Sequence, residues 1–107
     1  MRFDVLFTPA ARDDIDNIRA YVAEQDGQGR ADWVNGEIER VCSSLADMPE
    51  RGNVPKELEP AGARSYRELH YKPYRIIYRI SESRVIVFGV FDGRRDMQTL
   101  LRQRLMR

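Results

Sequence analysis

The sequence predicts an α+β fold in which an antiparallel sheet is covered on one face by a hairpin of two helices. Two early segments repeat apolar residues at the helical period, and three later segments rich in Tyr, Ile, Val and Phe are separated by short turns. Because helices and strands that occur in separate runs pack as two layers, the expected element order is β-α-α-β-β-β-α. The 107 residues suit a single domain over residues 1–107, since a second core would be too small to be stable.

The first strand and the first helix are predicted at the start of the chain. Residues 2–7 alternate in the manner of a half-buried strand, whose inward side is Phe3, Val5 and Phe7. Thr8 then offers a side-chain cap, and Pro9 is favoured at the first helical position, so a helix is expected to begin there. Its apolar stripe, which fades before a glycine-containing turn at 26–29, consists of Ala11, Ile15, Ile18 and Val22.

A second amphipathic helix follows that turn and completes the hairpin. It is expected to end at Met48 and Pro49, because proline cannot continue a helix and restricts the residue before it. Trp33 is interpreted as a packing residue of the hairpin, and the single cysteine, Cys42, as a small buried apolar residue. The stripe that should pack against the sheet is Val34, Ile38, Val41 and Leu45.

The second half of the chain predicts a loop, a meander of three strands and a short helix. Residues 49–63 contain three prolines and two glycines without any period, which indicates a surface loop. Strands are expected at 65–71, 74–80 and 85–91, and a helix from Met97 to Leu105. The sheet residues expected to share a core with Ile15, Ile18, Ile38 and Val41 are Ile76, Tyr78, Ile80, Val85 and Val87.

Charge is divided unevenly along the chain. The formal net charge is +1, but residues 1–60 carry 7 basic and 13 acidic side chains, whereas residues 61–107 carry 11 and 4. Such a division favours a cationic surface for nucleic acid or for an acidic partner, with a mixed solvated surface as the alternative. The short, interrupted apolar stretch at the N-terminus predicts neither a signal peptide nor a membrane span, so we expect a cytoplasmic protein.

Several ordered motifs resemble one protein family over nearly the whole chain. They are Leu45 with residues 48–52, the strands at 73–80 and 85–90, and residues 92–96. Together they resemble the RelE/ParE superfamily, the toxins of bacterial type II toxin-antitoxin systems. The resemblance implies the strand, hairpin and meander fold, growth arrest, and neutralisation by a cognate antitoxin in a hetero-oligomer. It implies no metal or organic cofactor.

Arginines are the residues most suited to bind a target. Side chains alternate along a strand, so Arg75 and Arg79 should lie on the open face of the sheet. Guanidinium groups keep their charge and match phosphates or carboxylates with a planar fork. Alternatively, these arginines pair with Glu68, Asp92 and Asp96 or simply keep the sheet soluble. The proposed target-binding set is Arg67, Arg75, Arg79, Arg94 and Arg95.

Two branches of the superfamily imply different targets. The RelE-like branch cuts messenger RNA in the ribosome, and by resemblance its catalytic residues here would be Arg75, Arg95 and His70. Where that branch has lysines on the second strand, this chain has residues 66–68, Tyr-Arg-Glu. Where that branch has a C-terminal aromatic acid or base, this chain has leucines at 100 and 101. No Tyr or His follows Tyr78. Loss of such a group costs roughly 10²- to 10⁴-fold in rate. The missing residues and the longer hairpin favour the ParE-like branch, a non-enzymatic poison of DNA gyrase.

The ribosome-dependent endonuclease remains the alternative function. A third hypothesis is a regulatory module without toxicity of its own, which growth arrest on induction would exclude. His70 is the only histidine and could act as a base at neutral pH, although a lone histidine in a strand is usually structural.

Overall fold

A computed structural model describes residues 2–60, 62 and 64–105. These residues form the element order predicted from the sequence, and the α+β fold is confirmed. The elements are β1 (Asp4–Phe7), α1 (Pro9–Asp26), α2 (Gln28–Ser43) with a 3₁₀ turn (Ser44–Ala46), β2 (Tyr66–Tyr71), β3 (Tyr74–Ser81), β4 (Arg84–Asp92) and α3 (Met97–Leu105).

The sheet has the order β1-β4-β3-β2, and one detail of its prediction was wrong. Strands β2, β3 and β4 form the expected antiparallel meander. However, β1 lies parallel to β4, with Val5 opposite Val85, so the sheet is mixed rather than wholly antiparallel. The direction of β1 depends on how the helical hairpin returns the chain to the sheet, and no local turn encodes that path.

The hairpin forms for the local reasons that its sequence provides. The Thr8 hydroxyl accepts a hydrogen bond from the Ala11 amide at 3.1 Å and caps α1. Gly27 alone links the two helices, with a φ of 93° that side chains rarely tolerate. None of the helices in the described part of the chain combines the length and apolar character needed to cross a membrane.

The main core lies between the hairpin and one face of the sheet, as predicted. Ile18, Val41 and Ile80 are partly buried against it. Cys42 is fully buried, and burial raises the pKa of its thiol to about 12, so it is an inert apolar residue there. The predicted core residues that are fully or nearly fully buried are Ile15, Ile38, Ile76, Tyr78, Val85 and Val87.

The opposite face of the sheet, here called the far face, is less open than expected. Helix α3 and the loop before β2 cover part of it with a second cluster, formed by Leu58, Ile77, Phe91, Met97 and Leu101. The segment 49–63 is therefore not purely a surface loop, because Pro55 and Leu58 are buried. Its residues 61 and 63 lie outside the described part of the chain.

The prediction that Trp33 packs inside the hairpin was also wrong. Its side chain is 52% exposed instead of packed inside the hairpin. The guanidinium of Arg30 lies over the indole, 4.8 Å from the ring centroid. At the start of α2 the helix turns this position outward, so the aromatic character of the residue was a poor guide to burial.

Candidate functional site

Arg75 does not lie free on the far face but is enclosed by two carboxylates. Its Nη1 and Nη2 donate to both oxygens of Glu57 at 2.8 and 2.7 Å, and its Nε donates to Glu68 Oε1 at 2.6 Å. Arg75 and Glu57 side chains are each 11% exposed, and Glu68 is 4% exposed. Asn53 Nδ2 satisfies the second oxygen of Glu68 at 3.0 Å. We call these four residues the Arg75 cluster.

The electrostatics of the Arg75 cluster oppose the binding of a phosphate. Hydrogen bonds from Arg75 lower the pKa of Glu57, and the bonds to Glu57 and then Glu68 raise the pKa of Arg75. The lowered pKa keeps Glu57 ionised at neutral pH, and the Arg75 guanidinium lies between the carboxyl groups of Glu57 and Glu68. His70 is half exposed beside them, with Nε2 3.6 Å from Glu68 Oε2. Arg75 itself is therefore not free to meet a phosphate, and the other cationic side chain that borders this pocket is the exposed Lys56.

Arg67 has a structural position at the edge of β2. It lies on the side of the sheet that faces the hairpin and donates to the carbonyl of Gly52 at 2.7 Å. Tyr78 holds the same loop, since its hydroxyl accepts from the Gly52 amide at 3.0 Å and donates to the Pro49 carbonyl at 2.7 Å. A Cβ at position 52 would lie 2.5 Å from the Glu68 carbonyl oxygen, so only glycine fits.

Arg94 and Arg95 border a groove between α1 and the end of β4. The groove has a volume of about 320 Å³. Tyr21 of α1 lines it and is 65% exposed, an unusually open position for an aromatic residue. The lining residues that provide its mostly apolar floor are Ile18, Tyr21, Tyr74, Val90 and Phe91. We call this site the hairpin groove.

Around the hairpin groove, one arginine is left without a carboxylate partner in the described residues. Arg94 pairs with Asp92 at 2.6 Å, and its hydrogen bond lowers the pKa of that carboxyl. Asp14 is likewise occupied, because it accepts from the Val90 amide at 3.0 Å and from Arg104 of α3 at 2.8 Å. Arg95 is exposed and makes no side-chain ion pair within the described residues. The rim can therefore attract a carboxylate or a phosphate.

The predicted arginines thus do not form one surface. Arg94 and Arg95 lie together at the hairpin groove, while Arg75 is enclosed and Arg67 holds a loop. Arg79 lies on the far face over two aromatic rings. In the described residues, no group of three or more His, Cys, Asp or Glu side chains is placed to hold a metal ion.

Sequence reasoning missed the residues that decide these roles. Glu57 comes from an aperiodic loop, so no pattern linked it to Arg75, 18 residues later. Tyr21 carried a usable signal, because it lies three residues after Ile18 and borders the apolar stripe of α1 without belonging to it. An aromatic residue at such a border is a reasonable candidate for a binding surface.

A family model and one known protein both match this chain over most of its length. A family model described as the ParE toxin of the type II toxin-antitoxin system, parDE, matches residues 5–97. Toxin ParE3 of Caulobacter vibrioides is 27% identical over 97 residues, which cover 91% of this chain and 93% of that protein.

Two solved structures share the fold. One, from a chromosomal ParDE TA system of P. aeruginosa, superposes with a TM-score of 0.71 and 16% identity, covering 85% of this chain and 96% of that chain. Another, from the toxin-antitoxin complex RelBE2 of Mycobacterium tuberculosis, gives a TM-score of 0.61 and 18% identity, covering 86% and 92%. Both branches of the superfamily therefore resemble this fold, and the fold does not distinguish their targets.

Proposed function

Because the chain belongs to the ParE toxin family of type II toxin-antitoxin systems, we propose that it arrests growth by binding DNA gyrase and is neutralised by a cognate antitoxin. The observation that carries the choice of target is the Arg75 cluster. By resemblance, Arg75 is the third-strand arginine that the ribonuclease branch needs. Here its three donor nitrogens are bonded to Glu57 and Glu68, which supports a structural role.

Charge stabilisation of a phosphorane needs donors that are free to meet the developing charge. Freeing Arg75 would leave Glu57 and Glu68 nearly buried without their counter-charge, at a substantial cost in free energy. His70 does not compensate, because the carboxylate that it approaches, Glu68, is itself bonded to Arg75 and Asn53. The chemistry available at this position thus favours a toxin that binds its target over one that cuts RNA.

The hairpin groove supports the proposal with a second set of residues. Tyrosine and arginine are the residue types that most often dominate binding energy at protein interfaces. Tyr21, Arg94 and Arg95 present both types around an apolar floor. We propose that gyrase, or the DNA it holds, is contacted there.

An antitoxin partner fits the same region. The two structural relatives come from toxin-antitoxin systems, and the basic second half of this chain suits an acidic segment that folds on binding. We expect this segment to cover the apolar floor near the hairpin and to extend toward the C-terminal half. Co-purification with the acidic product of a neighbouring gene should survive high salt, since most of the contact is apolar. Failure of every neighbouring product to bind or to relieve toxicity would contradict the partner.

The target is tested by inducing the chain alone in cells. We expect growth arrest with DNA damage signalling, loss of negative supercoiling in a reporter plasmid, and intact ribosome-bound transcripts. Cleavage of transcripts at codon-defined positions, with normal supercoiling, would favour the RelE-like endonuclease instead. Normal growth would contradict both and favour a regulatory module.

A further inference from the structure

Part of the far face remains open beside α3. The strand register brings one residue from each strand into a row across the whole sheet: Leu6, Ile86, Arg79 and Tyr66. Phe88 stands unpaired at an irregularity of β4, and its ring meets Tyr66 edge to face with centroids 5.5 Å apart. Leu6 is 45% exposed, and the others are half-buried. We call these five residues the far-face row.

Arg79 is held at the centre of this row with its hydrogen-bonding edge unused. Its guanidinium carbon lies 5.6 Å from the ring centroid of Tyr66 and 5.3 Å from that of Phe88. It has no side-chain hydrogen bond or ion pair to any residue that the structure describes, in contrast to Arg75 four positions earlier. Stacking on rings fixes the plane of a guanidinium and leaves its in-plane N–H groups available.

We propose that the far-face row binds a protein segment that places a carboxylate on Arg79 and apolar side chains on Leu6 and Ile86. A carboxylate matches the guanidinium fork with two parallel hydrogen bonds. Aromatic and arginine side chains beside aliphatic ones form the usual composition of an interface centre. Arg84, two residues before Ile86 on the same side of β4, is exposed, but the exposed Asp4 lies opposite it on β1, so the positive charge that would meet a carboxylate is that of Arg79.

A protein segment fits this surface better than single-stranded nucleic acid does. Stacking of bases requires free aromatic faces. In the far-face row, Arg79 lies against both rings, and the edge of one ring meets the face of the other. The neighbours on β1 and β4 are the aliphatic side chains Leu6 and Ile86, which offer no ring for a further base.

The test selects a random dodecapeptide phage library on the immobilised full-length protein. We expect the enriched peptides to carry Asp or Glu within an apolar run. As synthetic peptides, they should bind the wild type and lose at least about tenfold in affinity for Arg79→Glu. Leu6→Asp is the second variant, because Leu6 is exposed and its replacement should leave the fold intact. Arg102→Glu, which reverses an exposed arginine of α3, is the matched control and should bind normally.

Three results would overturn the proposal. One is the absence of any enriched acidic sequence. A second is equal binding of the enriched peptides to the wild type, Arg79→Glu and Leu6→Asp. The third is tight binding of a fluorescein-labelled single-stranded oligonucleotide that Arg79→Glu abolishes, which would make the row a nucleic-acid site. Urea midpoints of both variants, measured beside the wild type, separate loss of binding from loss of folding.

Discussion

The Arg75 cluster and the hairpin groove use the same residue type in opposite ways. In the cluster, one arginine is enclosed by two nearly buried carboxylates and an asparagine, and each carboxylate oxygen and each guanidinium nitrogen has a partner. At the groove, Arg95 stands exposed beside Tyr21 and an apolar floor, without an ion pair in the described chain. The comparison teaches that an arginine motif gives little information about function until its carboxylate neighbours are known.

The largest effect on stability should follow from removing the guanidinium group of the Arg75 cluster. Arg75→Ala leaves Glu57 and Glu68 nearly buried without a counter-charge, which we expect to cost about 3–5 kcal/mol in the free energy of unfolding. Urea denaturation followed by circular dichroism measures it. Arg95→Ala is the matched control, and its midpoint should equal that of the wild type. Equal midpoints for both variants would show that the cluster does not stabilise the fold.

A smaller effect should follow from Tyr78→Phe. Without the hydroxyl, the Gly52 amide and the Pro49 carbonyl lose their partner. Leaving such groups unsatisfied costs about 1–3 kcal/mol. The same urea experiment measures the loss, with Tyr21→Phe as the control because Tyr21 is exposed. A Tyr78→Phe midpoint like that of the control would mean that water replaces the hydroxyl freely.

Acid should weaken the Arg75 cluster. Hydrogen bonds from Arg75 hold the pKa of Glu57 below its ordinary value of 4.5. A carboxyl with a lowered pKa stabilises the fold fully above its unfolded pKa, and this stabilisation is lost as the pH falls through the folded pKa. The wild-type urea midpoint should therefore fall more steeply below about pH 4.5 than that of Glu57→Gln. Parallel curves for the two proteins would contradict the pairing.

The smallest effect is expected for His70→Ala. The imidazole is half exposed and touches the cluster only at 3.6 Å from Glu68, so stability and toxicity should both stay near the wild type. Growth curves after induction and a urea midpoint check this. A loss of toxicity with a normal midpoint would return His70 to the role of a base and favour the endonuclease.

Much of the fold was predictable because its signals are local. Thr8 and Pro9 begin α1 where the cap chemistry places the start, and alternation along β3 correctly puts Ile76 and Tyr78 under the hairpin. The parallel direction of β1 was not predictable, since it pairs with a strand about 80 residues away. The prediction for Trp33 was wrong for another reason, because aromatic character alone does not determine which side of a helix is buried.

The candidate site was less predictable than the fold. Alternation placed Arg75 on the far face correctly, but it could not show that Glu57 would fold over it from a loop without periodicity. Arg94 contacts Asp92, a pairing that the sequence left open as an alternative to target binding. Long-range contacts of this kind determine whether a charge is available, and one sequence does not contain them.

Gyrase supercoiling by purified components tests the central contrast most directly. We expect the wild-type protein to inhibit supercoiling, and the double variant Arg94→Glu, Arg95→Glu to lose most of that inhibition while keeping the wild-type urea midpoint. Arg75→Lys, assayed under conditions where it is folded, should inhibit like the wild type. The account would be contradicted if the double variant inhibited fully, or if gyrase stayed active while ribosome-bound transcripts were cut in a manner that Arg75→Lys abolishes.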